Sequence, residues 1–142
     1  MAVTSRADAQ WSDGLASGSG SVALASGAGE FSMTWKARSE GVDGATTPEE
    51  LLAAAHSSCF SMALTHELEG NGTPPAWVKT SAQVSFVPGT GVTASVLTVA
   101  AKVPGIADED FQRIAAAAKD GCPVSQALAG VEITLSGATL MD

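Results

Sequence analysis

The 142-residue sequence has no tyrosine, few aromatic residues of any kind and only three arginines. With aromatics at 5%, core packing must fall mainly to Ala, Val, Leu and Met. The formal net charge of −8 argues against nucleic acid as a partner, because phosphate binding needs clustered Lys and Arg. A site that requires a guanidinium must therefore draw on Arg6, Arg38 or Arg113.

Long hydrophobic runs are also missing. The N-terminal segment MAVTSRADAQWSDG has no apolar stretch of signal-peptide length, and no later run is long enough to span a bilayer. We therefore expect a cytoplasmic protein with no membrane partner. In that compartment structural disulfides are rare, so a pair of cysteines is more often catalytic or metal-binding.

The length of 142 residues predicts a single domain over residues 1–142, and a hydrophobic content of 45% with 15% charged residues is enough for an ordinary core. Alternation of apolar and polar residues predicts strands that have one buried face, with turns at SGAG and PGTG. The predicted strands include Val22 and Leu24, then Phe31 to Lys36, then residues 78–87, 92–103 and 131–140.

The segment TTPEELLAAAHSSCFSMALTHELEG predicts a long helix of about 22 residues, or about 33 Å. Thr47 is the expected N-cap, with Glu50 at capping-box spacing and Pro48 at the first helical position. Small apolar residues lie on more than one side of the helix. This predicts that sheets and a second subunit cover it. Its expected apolar face comprises Leu51, Leu52, Ala55, Cys59, Met62 and Ala63.

Two shorter helices are predicted after the strands, one from Asp108 to about Lys119 and one that begins at Cys122 and Pro123. The order of strands, long helix, strands, two helices and a last strand is typical of an α+β fold.

The two cysteines, Cys59 and Cys122, leave several readings open. Each is compatible with a small buried hydrophobe, since free cysteine is among the most buried residue types. Cys122 precedes a proline and is expected at a helix N-cap, where free backbone N–H groups stabilise a thiolate. Cys59 lies inside a helix, and apolar surroundings raise the pKa of a thiol unless a cation is near. The residues alone thus predict that Cys122 is the more acidic thiol.

A metal site has little support. His56 and His66 are ten residues apart on one helix, which separates them by about 80° around the axis and about 15 Å along it. They cannot both bind one ion together with Cys59, and no CxxC or HExxH motif is present. We expect both histidines to be packing or surface residues.

The segments TTPEELLAAAHSSCFSMAL and GCPVSQAL resemble the two signature segments of the OsmC/Ohr family of thiol-dependent hydroperoxide reductases. The resemblance extends over nearly the whole chain, through WSDG near the start, ARSEG before the long helix, VPGI and VEITL. The form PEELLAAAHSSCFSMAL, with a histidine before the cysteine, is closer to the OsmC branch than to the Ohr branch.

The resemblance implies a role for four residues. Cys59 matches the cysteine that attacks the peroxide, and Cys122 matches the resolving cysteine. Glu49 matches the glutamate that holds the catalytic arginine, and Arg38 in ARSEG lies where the OsmC branch carries that arginine. In the Ohr branch the arginine lies nearer the N-terminus, where Arg6 is the available residue, but the surroundings of Arg6 do not match that motif.

The resemblance also implies an intertwined homodimer, in which two long central helices are wrapped by sheets from both chains. Its reaction needs no cofactor; an organic hydroperoxide is reduced and a dithiol, such as dihydrolipoamide on a lipoyl protein, regenerates the enzyme. Phe60 and Met62, beside the cysteine, are candidates for favouring organic substrates or plain core residues. The alternative is an OsmC-like redox sensor or binding protein with little or no turnover.

Overall fold

The alternating segments form two separate three-stranded sheets in the computed structural model, which describes residues 1–142. The backbone contacts divide the chain into two units, Met1–Leu51 and Leu52–Asp142, which are described in turn below. The prediction of a single domain stays a prediction.

The N-terminal unit contains an antiparallel sheet in the order β1-β2-β3. β1 was not predicted: its residues ADAQWS alternate, but its apolar positions are only two alanines and Trp11, and all six residues are exposed. β2 and β3 are joined by the predicted SGAG turn, where Gly27 has a φ of 82° that favours glycine. The strands are β1 at Ala7–Ser12, β2 at Ser19–Leu24 and β3 at Glu30–Met33.

The predicted strand through Lys36 is wrong beyond Met33, because a short helix, α1 at Trp35–Glu40, begins there. The Thr34 hydroxyl accepts a hydrogen bond from the N–H of Ala37 at 3.0 Å and caps this helix. A local N-cap therefore overrides the alternation of apolar and polar residues.

The long helix α2 runs over Pro48–Gly70, as predicted. The Thr47 hydroxyl accepts a hydrogen bond from the N–H of Glu50 at 3.0 Å, which confirms the N-cap. The Glu50 carboxylate accepts a hydrogen bond from the Thr46 hydroxyl at 2.7 Å. None of the four helices combines the length and apolar character that crossing a membrane requires.

The C-terminal unit contains the rest of α2 and a sheet in the order β4-β5-β6. β4 and β5 form an antiparallel hairpin through the predicted PGTG turn, and β6 lies parallel to β5. A parallel return requires a crossover, which α3 and α4 supply. The elements are β4 at Trp77–Val87, β5 at Gly91–Lys102, α3 at Asp108–Gly121, α4 at Pro123–Ala127 and β6 at Glu132–Leu140. The α+β class is confirmed.

The core of this unit lies between α2, α3 and β5, and it corrects the predicted apolar face of α2. The residues of α2 that are fully buried follow a spacing of four and are His56, Phe60, Leu64 and Leu68. Cys59 and Ala63 pack against the core, whereas Met62 is 67% exposed and Ala55 is also exposed. Apolar residues occur on several sides of α2, so the bulk of Phe60 and the leucines decides which side is buried.

Candidate active site

The two cysteines meet in the C-terminal unit. Cys122 is fully buried within the core between α3 and α4, and Cys59 on α2 is partly buried against the same core. Both are free thiols in this structure. A chain with only two cysteines thus has them side by side, on elements that are 63 residues apart in sequence.

The environment of Cys122 favours its thiolate. Burial opposes ionisation, but hydrogen bonds from the Ser125 N–H, the Cys59 thiol, the Ser125 hydroxyl and the Val124 N–H outweigh it and lower the pKa of Cys122. Cys122 is the N-cap of α4 with Pro123 at the first helical position, as predicted. The free N–H groups of the first turn are therefore among the groups that favour the thiolate.

The environment of Cys59 favours the protonated thiol. Burial is the largest cause that raises the pKa of Cys59, and the adjacent Cys122 raises it further, against a hydrogen bond from the Val124 N–H. Within a single chain, Cys122 is thus the more acidic of the two thiols, as predicted. No cation is among these causes. For Cys59 to act as a nucleophile, a positively charged group from elsewhere must therefore lower its pKa.

Arg38 and Glu49 form an ion pair in the N-terminal unit. The Glu49 carboxylate is held at the start of α2 and is 6% exposed. Arg38, in the last turn of α1, donates from Nη2 to Oε1 of Glu49 at 2.8 Å and from Nε to both carboxylate oxygens at 3.2 and 3.3 Å. This multiple contact fixes the plane of the guanidinium group.

Arg38 also lines a cavity of about 210 Å³ in the same unit. The other lining residues are mainly apolar or aromatic, and include Trp11, Met33 and Trp35. Such a cavity offers an apolar surface beside a fixed cation. No pattern in the sequence predicts this cavity, because residues from several separate segments line it.

The other two arginines lie on the surface. Arg6 pairs with Asp8 at 3.3 Å and Arg113 pairs with Asp110 at 3.0 Å, and all four side chains are more than half exposed. Exposed pairs of this kind have little influence on a buried reaction centre, because water screens them.

A buried hydrogen-bonded set that was not predicted lies in the C-terminal unit. His56 contacts Ser95 and Ser125, whereas His66 is exposed. His56 precedes Cys59 by three residues and Ser125 follows Cys122 by three, which is the only hint that the sequence offers. Phe60, a candidate substrate neighbour, is instead fully buried in the core.

Comparison with known proteins agrees with this architecture. Residues 41–136 match the family model described as OsmC-like protein. The chain is 40% identical over 139 residues to Peroxiredoxin OsmC of Escherichia coli (strain K12), a match that covers 95% of this chain and 96% of the relative.

Two solved structures show a similar fold. One is an organic hydroperoxide resistance protein OsmC of Legionella pneumophila, with a TM-score of 0.73, 24% identity, and 96% of this chain and 97% of that chain covered. The other is an OsmC like protein of Mycoplasma pneumoniae, with a TM-score of 0.76, 13% identity and both chains covered in full. With a family match over most of its length and a relative at 40% identity, the chain belongs to the OsmC family.

Proposed function

We propose that the protein is a thiol-dependent peroxidase that reduces organic hydroperoxides, and hydrogen peroxide more weakly, through a Cys59 sulfenic acid and a Cys59–Cys122 disulfide. The observation that carries this proposal is the contact between the only two thiols of the chain, where the surroundings lower the pKa of Cys122 and raise the pKa of Cys59. Peroxiredoxin-like activity itself follows from the 40% identity to Peroxiredoxin OsmC over nearly the full chain.

In the first step, the Cys59 thiolate attacks the outer oxygen of the hydroperoxide. The S–O bond forms as the O–O bond breaks, and the departing alkoxide takes a proton and leaves as the alcohol. The sulfur of Cys59 is oxidised to a sulfenic acid, and the peroxide is reduced.

The guanidinium of Arg38 supplies the charge that this step requires. It stabilises the Cys59 thiolate and the negative charge that develops on the peroxide oxygens. Glu49 holds the guanidinium plane in place, so that no reorganisation is needed in the transition state.

In the second step, the Cys122 thiolate attacks the sulfur of the Cys59 sulfenic acid. The S–S bond forms, the S–O bond breaks, and the departing hydroxide takes a proton to become water. The acidity of Cys122 suits this role, because only the thiolate is nucleophilic. A dithiol such as dihydrolipoamide then reduces the disulfide by exchange. This cycle fits the reducing cytoplasm.

The active site is composite in this proposal, with Arg38 and Glu49 of one chain serving Cys59 of a second copy. Glu49 and Cys59 are ten residues apart on α2, or about 15 Å along a regular helix and about 80° around it. Two α2 helices packed antiparallel about a two-fold axis bring Glu49 of one chain near Cys59 of the other. The exposed side of α2, which includes Ala54, Ala55, Ser58 and Met62, is available for this contact.

The preference for organic substrates is supported by the apolar cavity beside Arg38. An apolar group bound there gains free energy from burial, whereas hydrogen peroxide has no such group. The cavity thus favours a hydroperoxide with a hydrocarbon substituent.

Steady-state consumption of cumene hydroperoxide, tert-butyl hydroperoxide and hydrogen peroxide with excess dihydrolipoamide tests the proposal. An enzyme consumes many equivalents of peroxide per chain, and the organic substrates give the higher kcat/KM. Consumption of about one equivalent would instead identify a redox sensor.

A further inference from the structure

Three buried polar side chains connect α2, β5 and α4 around the thiol pair. Nδ1 of His56 is 2.7 Å from Oγ of Ser95, and Nε2 of His56 is 2.8 Å from Oγ of Ser125. All three residues are buried, and no buried side-chain nitrogen or oxygen in the structure lacks a partner. The reaction steps described above use none of the three.

The ring of His56 is neutral near neutral pH, because burial lowers the pKa of His56. A neutral imidazole has one donor and one acceptor nitrogen, so two arrangements are possible. In the first, Nε2–H donates to Ser125 and Nδ1 accepts from Ser95. In the second, Nδ1–H donates to Ser95 and Nε2 accepts from Ser125.

The position of Ser125 distinguishes the two arrangements. Ser125 is the third residue of α4, whose N-cap is Cys122, and its hydroxyl is one of the groups that lower the pKa of Cys122. A serine hydroxyl has a single proton. If that proton is donated to His56, it cannot be donated to Cys122.

We propose that His56 is a positioning residue for the resolving cysteine: as the Nε2–H tautomer it donates to Ser125 and thereby directs the Ser125 hydroxyl proton to the Cys122 sulfur. Ser95 fixes this tautomer by donating its own proton to Nδ1. The hydrogen bonds then run in one direction, from Ser95 through His56 and Ser125 to Cys122.

The consequence of this inference for peroxide reduction rests on the proposed function. A larger thiolate fraction at Cys122 accelerates formation of the Cys59–Cys122 disulfide from the sulfenic acid. It also limits the time during which Cys59 is exposed to further oxidation by a second peroxide molecule. The effect on the thiolate itself does not depend on peroxidase activity.

The tautomer of His56 in the reduced protein is the first test. A long-range ¹H–¹⁵N correlation spectrum distinguishes the Nε2–H from the Nδ1–H form by the ¹⁵N shifts of the two ring nitrogens. His56→Gln assigns the signals of His56. The Nε2–H form is expected, and the Nδ1–H form would overturn the proposal without the need for any variant of the serines.

The second test measures the pH dependence of the ultraviolet absorbance of the thiolate in Cys59→Ser protein, where Cys122 is the only thiol. Absorbance needs no reagent to reach this fully buried sulfur. Because a hydrogen bond to a charged group is strong, Ser125→Ala should lower the thiolate fraction of Cys122 near neutral pH roughly tenfold or more. His56→Phe should have a similar effect. His56→Gln, which retains an N–H near the position of Nε2, should recover much of the loss.

Two controls separate this role from a general structural one. Ser136→Ala, at an exposed serine of β6, and His66→Phe, at the exposed histidine of α2, should leave the titration profile unchanged. Circular dichroism establishes that each variant is folded. An unchanged profile in folded Ser125→Ala protein would overturn the proposal, even if peroxidase turnover were demonstrated. A changed profile would support it even in the absence of turnover.

Discussion

At the scale of single residues, a sulfur atom buried among apolar side chains keeps its proton unless a cation or hydrogen-bond donors favour the thiolate. Cys122 has such donors in the first turn of α4, whereas burial and the adjacent Cys122 raise the pKa of Cys59. The proposed mechanism nevertheless needs a nucleophilic Cys59. In that mechanism, Arg38 converts an unreactive, partly buried thiol into the residue that attacks the peroxide.

We predict that the two cysteines have different effects when replaced. Cys59→Ser should abolish peroxide consumption, because the attacking sulfur is lost. Cys122→Ser should still react once and leave a sulfenic acid at position 59, which dimedone labelling and mass spectrometry detect. Full turnover by Cys59→Ser would contradict the assigned roles.

Arg38 is predicted to be the catalytic cation. Arg38→Ala should raise the pKa of Cys59 and lower kcat/KM by roughly 10²–10³-fold, the cost typical of removing a preorganised electrostatic contact. Arg38→Lys should restore only part of the activity, because a lysine cannot form the planar contact with Glu49.

Arg6→Ala and Arg113→Ala are the matched controls for Arg38. Both arginines form exposed ion pairs, so their removal should change kcat/KM little. A large loss in Arg6→Ala would show that the N-terminal arginine is the functional one.

At the scale of elements, the sequence predicts those features that local chemistry determines. The N-cap Thr47, the proline after it and the glycines at the turns define α2 and the two hairpins without reference to the rest of the chain. β1 and the inward side of α2 depend on tertiary contacts. The alternation in β1 rests on two alanines and one tryptophan, and α2 has apolar residues on several sides, so the sequence could not define them.

His56 is predicted to make folding stability depend on pH. Burial lowers the pKa of His56 in the folded state, so the unfolded chain binds a proton near its usual value of about 6.5 while the folded chain does not. Stability from this source is fully present above about pH 6.5 and falls as the pH decreases below it, by at most about 1.4 kcal/mol per pH unit.

Urea denaturation at several pH values between 5 and 8 measures this contribution. The wild-type free energy of unfolding should fall more steeply with decreasing pH below about 6.5 than that of His56→Gln, which has no titrating ring. Equal slopes in the two proteins would contradict a buried neutral His56.

At the scale of the whole molecule, the pairing of His56 with Ser95 and Ser125 shows what a single sequence cannot express. These contacts join residues 39 and 69 positions apart, and no spacing rule links them. No spacing rule in the sequence reveals the contacts of a dimer either. Helix geometry suggested that Glu49 and Cys59 of one chain cannot serve one reaction centre, but a composite site between two copies stays a prediction.

Subunit complementation tests that prediction. Glu49→Ala and Cys59→Ser proteins should each have little activity, because every active site lacks one required residue. Unfolding and refolding an equal mixture makes half of the dimers mixed, and each mixed dimer contains one intact site and one with both changes. The mixture should therefore regain about a quarter of wild-type activity per chain.

The control for complementation is each variant refolded alone, which should remain at its own low activity. If all the residues of a site came from a single chain, mixed dimers would contain no intact site, and no activity would return. A lack of recovery with mixed dimers demonstrated by mass spectrometry would thus contradict the shared site. A monomer in sedimentation at micromolar concentration would exclude it, since Cys59 would then have no second chain from which to receive its arginine.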